Sequence, residues 1–191
     1  MAKIRTFIAV ELPAEVRRAA ARLAKSLAEA PVEVRWTELD NFHWTLQFLG
    51  DVTVNETPHI CQAVAKAVAN LPRFELHALG AGAFPKIERP RTLWLGAQEG
   101  RDQMIALHDQ IEESMSALGF RSEGRRFRPH ITLGRLRHVD AGLDTLIELL
   151  RSHTEFDAGR MDVREVAIFS SELRRNGPIY TRLGTAKLAG S

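Results

Sequence analysis

The chain has 191 residues, 45% hydrophobic and 26% charged, and a formal net charge of +2. That length suits one large domain or two small lobes sharing a core. No apolar run approaches the roughly 20 residues of a membrane span, and the single cysteine, Cys61, excludes an internal disulfide and any metal site built from two thiolates.

Taken in chain order, Met1–Leu12 lacks the basic n-region, long h-region and cleavage site of a signal peptide. It reads as a first strand over Thr6–Leu12, and a cytoplasmic location is expected. Pro13 opens a helix whose stripe is Val16, Ala20, Leu23 and Leu27. Val32–Thr37 and Phe42–Gly50 are strand-like. Asn55–Leu71 reads as a helix capped by Asn55, with Cys61 a small core residue on its stripe. Arg73–Phe84, ended by Pro85, and Pro90–Ala97 are strands. Arg101–Leu118 is a helix with Met104, Leu107, Ile111, Met115 and Leu118 on one face, stopped by Gly119. A basic loop then leads into a strand at His130, Leu143–Arg151 is a short helix, and Glu155–Met161, Val163–Phe169 and Ile179–Leu188 are strands. An Asn-Gly turn lies within Arg174–Pro178. Strands in neighbouring groups interrupted by single helices predict an α+β fold with antiparallel sheets and helices on their outer faces.

One feature occurs twice. His43-Trp44-Thr45-Leu46 returns 87 positions later as His130-Ile131-Thr132-Leu133. Side chains at i and i+2 of a strand share a face, so each copy offers an imidazole and a hydroxyl together, while Trp44 and Leu46, or Ile131 and Leu133, point into a core. If the two strands face each other across a cleft, two imidazoles and two hydroxyls converge. Histidines near their ordinary pKa can hold opposite protonation states at neutral pH, so one takes a proton while the other gives one. Threonine hydroxyls can donate to the oxygens where charge accumulates. That set suits displacement at phosphorus and calls for no metal or cofactor. Of the 26 basic residues, 21 are arginine, whose planar fork fits phosphate, although a plain composition bias gives the same count.

The paired motif, together with FIAVELP, NFHWTLQFLGDV, PRTLWLG, FRPHITLGR and the closing SSEL and GPIYTRL, resembles the 2H phosphoesterase superfamily. Within it the chain is similar to the RNA 2′,3′-cyclic phosphodiesterases, also called 2′-5′ RNA ligases. The resemblance runs nearly end to end. It implies one bilobal domain over residues 1–191, with two pseudo-symmetric lobes, an antiparallel sheet and outer helices in each, and an active-site cleft between them. It implies hydrolysis of a 2′,3′-cyclic phosphate on RNA or a nucleotide to a 2′-phosphomonoester, with weak reverse 2′-5′ ligation. His43 would be the proton donor, His130 the acceptor, and Thr45 and Thr132 would hold the phosphate.

Further candidates are Arg128, two residues before His130, and Phe42, as a ring beside the cleft. Arg121, Arg125 and Arg126 suit either RNA backbone or the solvated rim. Trp94 reads as core sooner than as a base-stacking ring, and Tyr180 fits either core or rim. The other five histidines lack a threonine at i+2 and carry no role. The chain is expected to act as a monomer away from membranes. The rival readings are a phosphodiesterase on 2′-5′ oligoadenylate or an ADP-ribose cyclic phosphate, and an RNA-end binding protein with little catalysis.

Overall fold

The repeated strand and helix patterns resolve, in a computed structural model, into nine strands and four helices among the described residues, which are 2–122, 124, 126–138, 141–174 and 177–190. In order these are β1 (Lys3–Glu11), α1 (Ala14–Leu27), β2 (Val34–Trp36), β3 (His43–Thr53), α2 (Thr57–Val68), β4 (Phe74–Lys86) and β5 (Arg89–Ala97). There follow α3 (Arg101–Ala117), β6 (His130–Leu136), α4 (Leu143–Ser152), β7 (Asp157–Val163), β8 (Glu165–Arg174) and β9 (Gly177–Lys187).

The strands pair antiparallel in the order β7-β4-β5-β6-β3-β1-β8-β9, with β2 beside β6. This is an α+β architecture of two four-stranded arms, β7-β4-β5-β6 and β3-β1-β8-β9, which meet at a single residue pair, Trp44 opposite Ile131. One arm draws on both ends of the chain, because β8 and β9 complete the arm begun by β1 and β3. The two motif strands therefore lie side by side at the seam; they do not stand on opposite walls.

Burial anchors the seam. Trp44, Ile131 and Leu133 are 0% exposed, and the Trp44 indole donates to the Met161 sulfur at 3.4 Å. The helices take the expected faces: α1 buries Val16, Ala20, Leu23 and Leu27, and α3 buries Met104, Leu107, Ile111 and Met115. Among the described residues no helix is long and apolar enough to cross a membrane.

Several local expectations are corrected. Asn55 does not cap α2: it lies within a short 3-10 turn, Val54–Glu56, that leads into the helix, and that turn is capped by Thr53 in a capping box with Glu56, the Thr53 backbone N–H donating to Glu56 Oε2 at 2.8 Å. Leu118 lies past the end of α3 and is exposed; Gly119, at φ +90°, stops the helix as a left-handed residue. The strand at Pro85 continues to Lys86, because a register shift against β5 accommodates the proline. Cys61 is half-buried against Gly184 on β9, and burial pushes its thiol up, away from a nucleophile's range. Of the turn expected within Arg174–Pro178, Arg175 and Asn176 lie outside the described residues, and Arg174 and Gly177 pair across it as the ends of β8 and β9.

Candidate active site

Trp44 opposite Ile131 sets the geometry. Continuing that antiparallel register by one residue each way places His43 opposite Thr132 and Thr45 opposite His130, all four on the face opposite the buried Trp44 and Ile131. The two histidines are then diagonal neighbours, about 7–8 Å apart along the sheet, a span that admits a phosphate.

Both imidazoles are oriented in the same way. His43 Nδ1–H donates to the Asn41 carbonyl at 2.8 Å, and His130 Nδ1–H donates to the Arg128 carbonyl at 2.6 Å, in each case two residues earlier. The tether fixes Nδ1 as the protonated nitrogen and leaves Nε2 to exchange a proton with substrate. Asn41 is held in turn: its Nδ2 donates to the Pro178 carbonyl on β9 at 3.0 Å.

The motif leucines mark a second shared device. Ala9 pairs with Thr45 and Ile8 with Gln47, so Leu46 is an extra residue in β3. Likewise Trp94 pairs with Thr132 and Leu93 with Gly134, so Leu133 is an extra residue in β6. Each is a β-bulge, which shifts the facing of the side chains that follow it by one; in β3 a second shift, at Leu49, ends that run. Phe48 therefore turns onto the cleft face, 56% exposed. Its repeat counterpart Arg135 does the same, donating to Thr92 Oγ1 at 3.2 Å. Gln47 lands in the core at 1% exposure, with neither amide atom partnered among the described residues.

The cleft side of the seam is concave. A cavity of about 590 Å³ opens beside His43, Thr45 and Thr132, lined also by Phe48, Tyr180, Arg35, Arg135 and Arg137. A second, of about 260 Å³, opens beside His130, lined by Phe84, Trp94, Arg101 and Arg128. Arg35, Arg135, Arg137 and Phe48 went unnoticed in the sequence. Aligning the two motif copies would have paired Phe48 with Arg135, but only the bulges put them on this face.

His43 packs against Phe7 and Tyr180, with ring centroids at 4.9 and 5.4 Å. Burial there lowers its pKa from 6.5 to about 4. The Asn41 carbonyl and Glu11 oppose the shift, and His130 adds to it. In the free protein His43 is thus neutral at pH 7.

Arg128 is exposed, its guanidinium 5.1 Å from the Phe84 ring centroid and 5.7 Å from that of Trp94. Trp94 lies on the cleft face, opposite Thr132, and not in the core as expected. Phe42 is corrected in the other direction: at 3% exposure it packs in the core and offers no face to a base. Tyr180 is half-buried on the rim. Arg121 and Arg126 are exposed and line neither cavity, and Arg125 lies outside the described residues. His77 and His108 are buried, paired with Asp157 and Asp109.

A model of the family described as LigT like Phosphoesterase matches the chain twice, over residues 10–94 and 95–180. The RNA 2′,3′-cyclic phosphodiesterase of Aeropyrum pernix is 34% identical over 90% of this chain and 96% of its own length. That of Methanothermobacter thermautotrophicus is 34% identical over 97% and 100%. The crystal structure of E. coli LigT complexed with 3′-AMP is 27% identical, with a TM-score of 0.77 over 98% of this chain and 99% of that one.

Proposed function

This chain belongs to the LigT-like phosphoesterases, and on that premise we propose that it hydrolyses the 2′,3′-cyclic phosphate of RNA ends or nucleotides to a 2′-phosphomonoester, with residues 1–191 acting as one domain. The observation that carries the mechanism is the duplicated, identically tethered histidine beside a threonine on one face of the seam. His130 Nε2 takes a proton from the attacking water. His43 Nε2 gives one to the 3′ oxygen as the P–O3′ bond breaks. Thr45 and Thr132 hydroxyls donate to the non-bridging oxygens.

The division of roles follows the cavities. The one large enough for a nucleoside and its ring contacts lies on the His43 side, which sets the ribose and its leaving 3′ oxygen beside His43. The neutral state of free His43 does not suit a donor at pH 7, but the substrate changes it. An anionic phosphodiester a few ångströms away favours the imidazolium, so the donor is charged by the group it will act on. Phe48 offers a stacking face, and Arg35, Arg135 and Arg137 supply the positive field for the strand that leads to it.

The test is turnover of a 2′,3′-cyclic nucleotide in EDTA, with the product's phosphate position read by 31P NMR. A 2′-phosphate, lost in His43→Ala and His130→Ala, is expected. A 3′-phosphate, or full activity in either variant, overturns the reading.

A further inference from the structure

The two imidazole tethers are backed differently. Asn41, which holds His43, ends a short 3-10 turn, Leu39–Asn41. Its backbone N–H donates to the Glu38 carbonyl at 2.9 Å and its side chain reaches the Pro178 carbonyl. Arg128, which holds His130, lies ahead of β6. Neither Arg128 nor Phe127 makes a hydrogen bond between main-chain groups among the described residues. Pro129 restricts Arg128 to extended backbone and has no N–H of its own. The carbonyl that accepts from His130 Nδ1 therefore takes its direction from side chains.

Two of them grip this segment. The Arg128 guanidinium lies over the Phe84 and Trp94 rings of the cleft. Phe127 packs against the core and lies flat on His108 of α3, with ring centroids 4.1 Å apart and planes 4° apart. His108 is 6% exposed, in a row of apolar side chains, Met104, Leu107, Ile111 and Met115. Its ring is held at one edge, Nδ1–H donating to Asp109 Oδ1 at 3.0 Å. The same helix ties the start of the segment, where Ser122 Oγ–H donates to Glu112 Oε1 at 2.8 Å. A flat ring fixed at its edge sets a plane as well as filling volume, and aromatic pairs are directional. We infer that His108 is a positioning residue for His130, resting on the role of proton acceptor proposed above for His130. His108 seats Phe127, Phe127 and Arg128 clamp the peptide between them, and the Arg128 carbonyl is thereby aimed at His130 Nδ1. That keeps Nε2 as the free nitrogen, directed at the attacking water. The stack on α3 does for the second motif what the hydrogen-bonded turn at Asn41 does for the first.

The experiment uses two variants of the full chain that separate plane from packing: His108→Phe keeps a flat ring, and His108→Leu keeps apolar volume without one. With 2′,3′-cyclic AMP, His108→Leu is expected to lower kcat about tenfold and to change KM less than about twofold, because misalignment costs the reacting geometry and spares the binding contacts. His108→Phe is expected to stay within about twofold of the wild type in both constants. Nitrogen-15 NMR of the substrate-free chain at mildly alkaline pH reads the tether directly. His130 should be the Nδ1–H tautomer in the wild type and in His108→Phe, and should move toward Nε2–H in His108→Leu, while His43 stays Nδ1–H in all three. Wild-type kcat in His108→Leu, His108→Phe as slow as His108→Leu, or an unmoved His130 tautomer in His108→Leu overturns the inference and leaves His108 as packing alone. Failure of the intact enzyme to open the cyclic phosphate overturns the proposed function, whereas the tautomer needs no turnover and decides the positioning by itself.

Discussion

The two halves of the cleft share a skeleton and differ in what surrounds it. Each motif histidine is tethered to the carbonyl two residues back, and each motif leucine is a bulge. Beyond that the neighbours diverge. On the strand beside His43 and Thr45 stand Glu11 and Ala9; at the matching places beside His130 and Thr132 stand Gly96 and Trp94. His43 leans on Phe7 and Tyr180 and is desolvated, whereas His130 meets Phe84 nearly at right angles, with Arg128 over that ring's face. Backbone repetition thus places equivalent groups, and the side chains around them make the groups unequal. An acid and a base built from one residue type require this: identical surroundings would give identical protonation states.

The shared skeleton is tested hardest at the threonines. If Thr45 and Thr132 hold the phosphate symmetrically, Thr45→Val and Thr132→Val should each lower kcat by about 10²–10³ with the fold intact, as loss of one preorganised donor does. Single-turnover rates would check this, and a large effect in one variant with none in the other would break the symmetry. A smaller effect follows from the bulges. Phe48→Ala and Arg135→Ala should each raise KM about tenfold for an oligonucleotide substrate and change kcat little, because they touch the bound strand and not the reacting atoms.

These bulges show where the sequence stops being legible. The elements and the four motif residues follow from local patterns, because strand alternation and helix periodicity are written in neighbouring residues. A bulge is set by register against another strand, so nothing within Leu46–Phe48 says that the phase will slip. Phe48 and Arg135 were therefore both overlooked. Trp94 and Phe42 were misplaced for a related reason: an apolar ring at an alternating position can face either side, and only the pairing of Trp94 with Thr132 decides. The joining of β8 and β9 to the arm of β1 and β3 is a contact across most of the chain and leaves no local trace.

The residues that follow the bulges carry unequal costs. Gln47 is buried with both amide atoms unpartnered, at a cost of about 1–3 kcal/mol. Gln47→Met keeps the volume and removes that cost, so urea denaturation should show a gain of about 1 kcal/mol. Its counterpart Gly134 offers no such gain: a Cβ there would sit 2.7 Å from Val34 and 3.0 Å from Trp36, so Gly134→Ala should destabilise by about 1–3 kcal/mol. A loss at Gln47 would mean that its amide is satisfied in solution.

The finest test addresses the inequality of the two imidazoles. His43 is held down to about 4, first by burial, whereas in the unfolded chain it titrates near 6.5. Between those values the unfolded chain binds the extra proton, so this group's contribution to stability is complete above pH 6.5 and drains away as the pH falls toward 4. His43→Gln removes the titration, so the variant's unfolding free energy should fall less than the wild type's over that window. Equal slopes would place His43 in water and dissolve the contrast with His130. Ring-proton NMR gives the complementary reading: His43 should titrate near 4 in the free protein and move upward when inorganic phosphate occupies the cleft, because the anion favours the charged imidazole. An unmoved midpoint would remove the step by which the substrate charges its own proton donor.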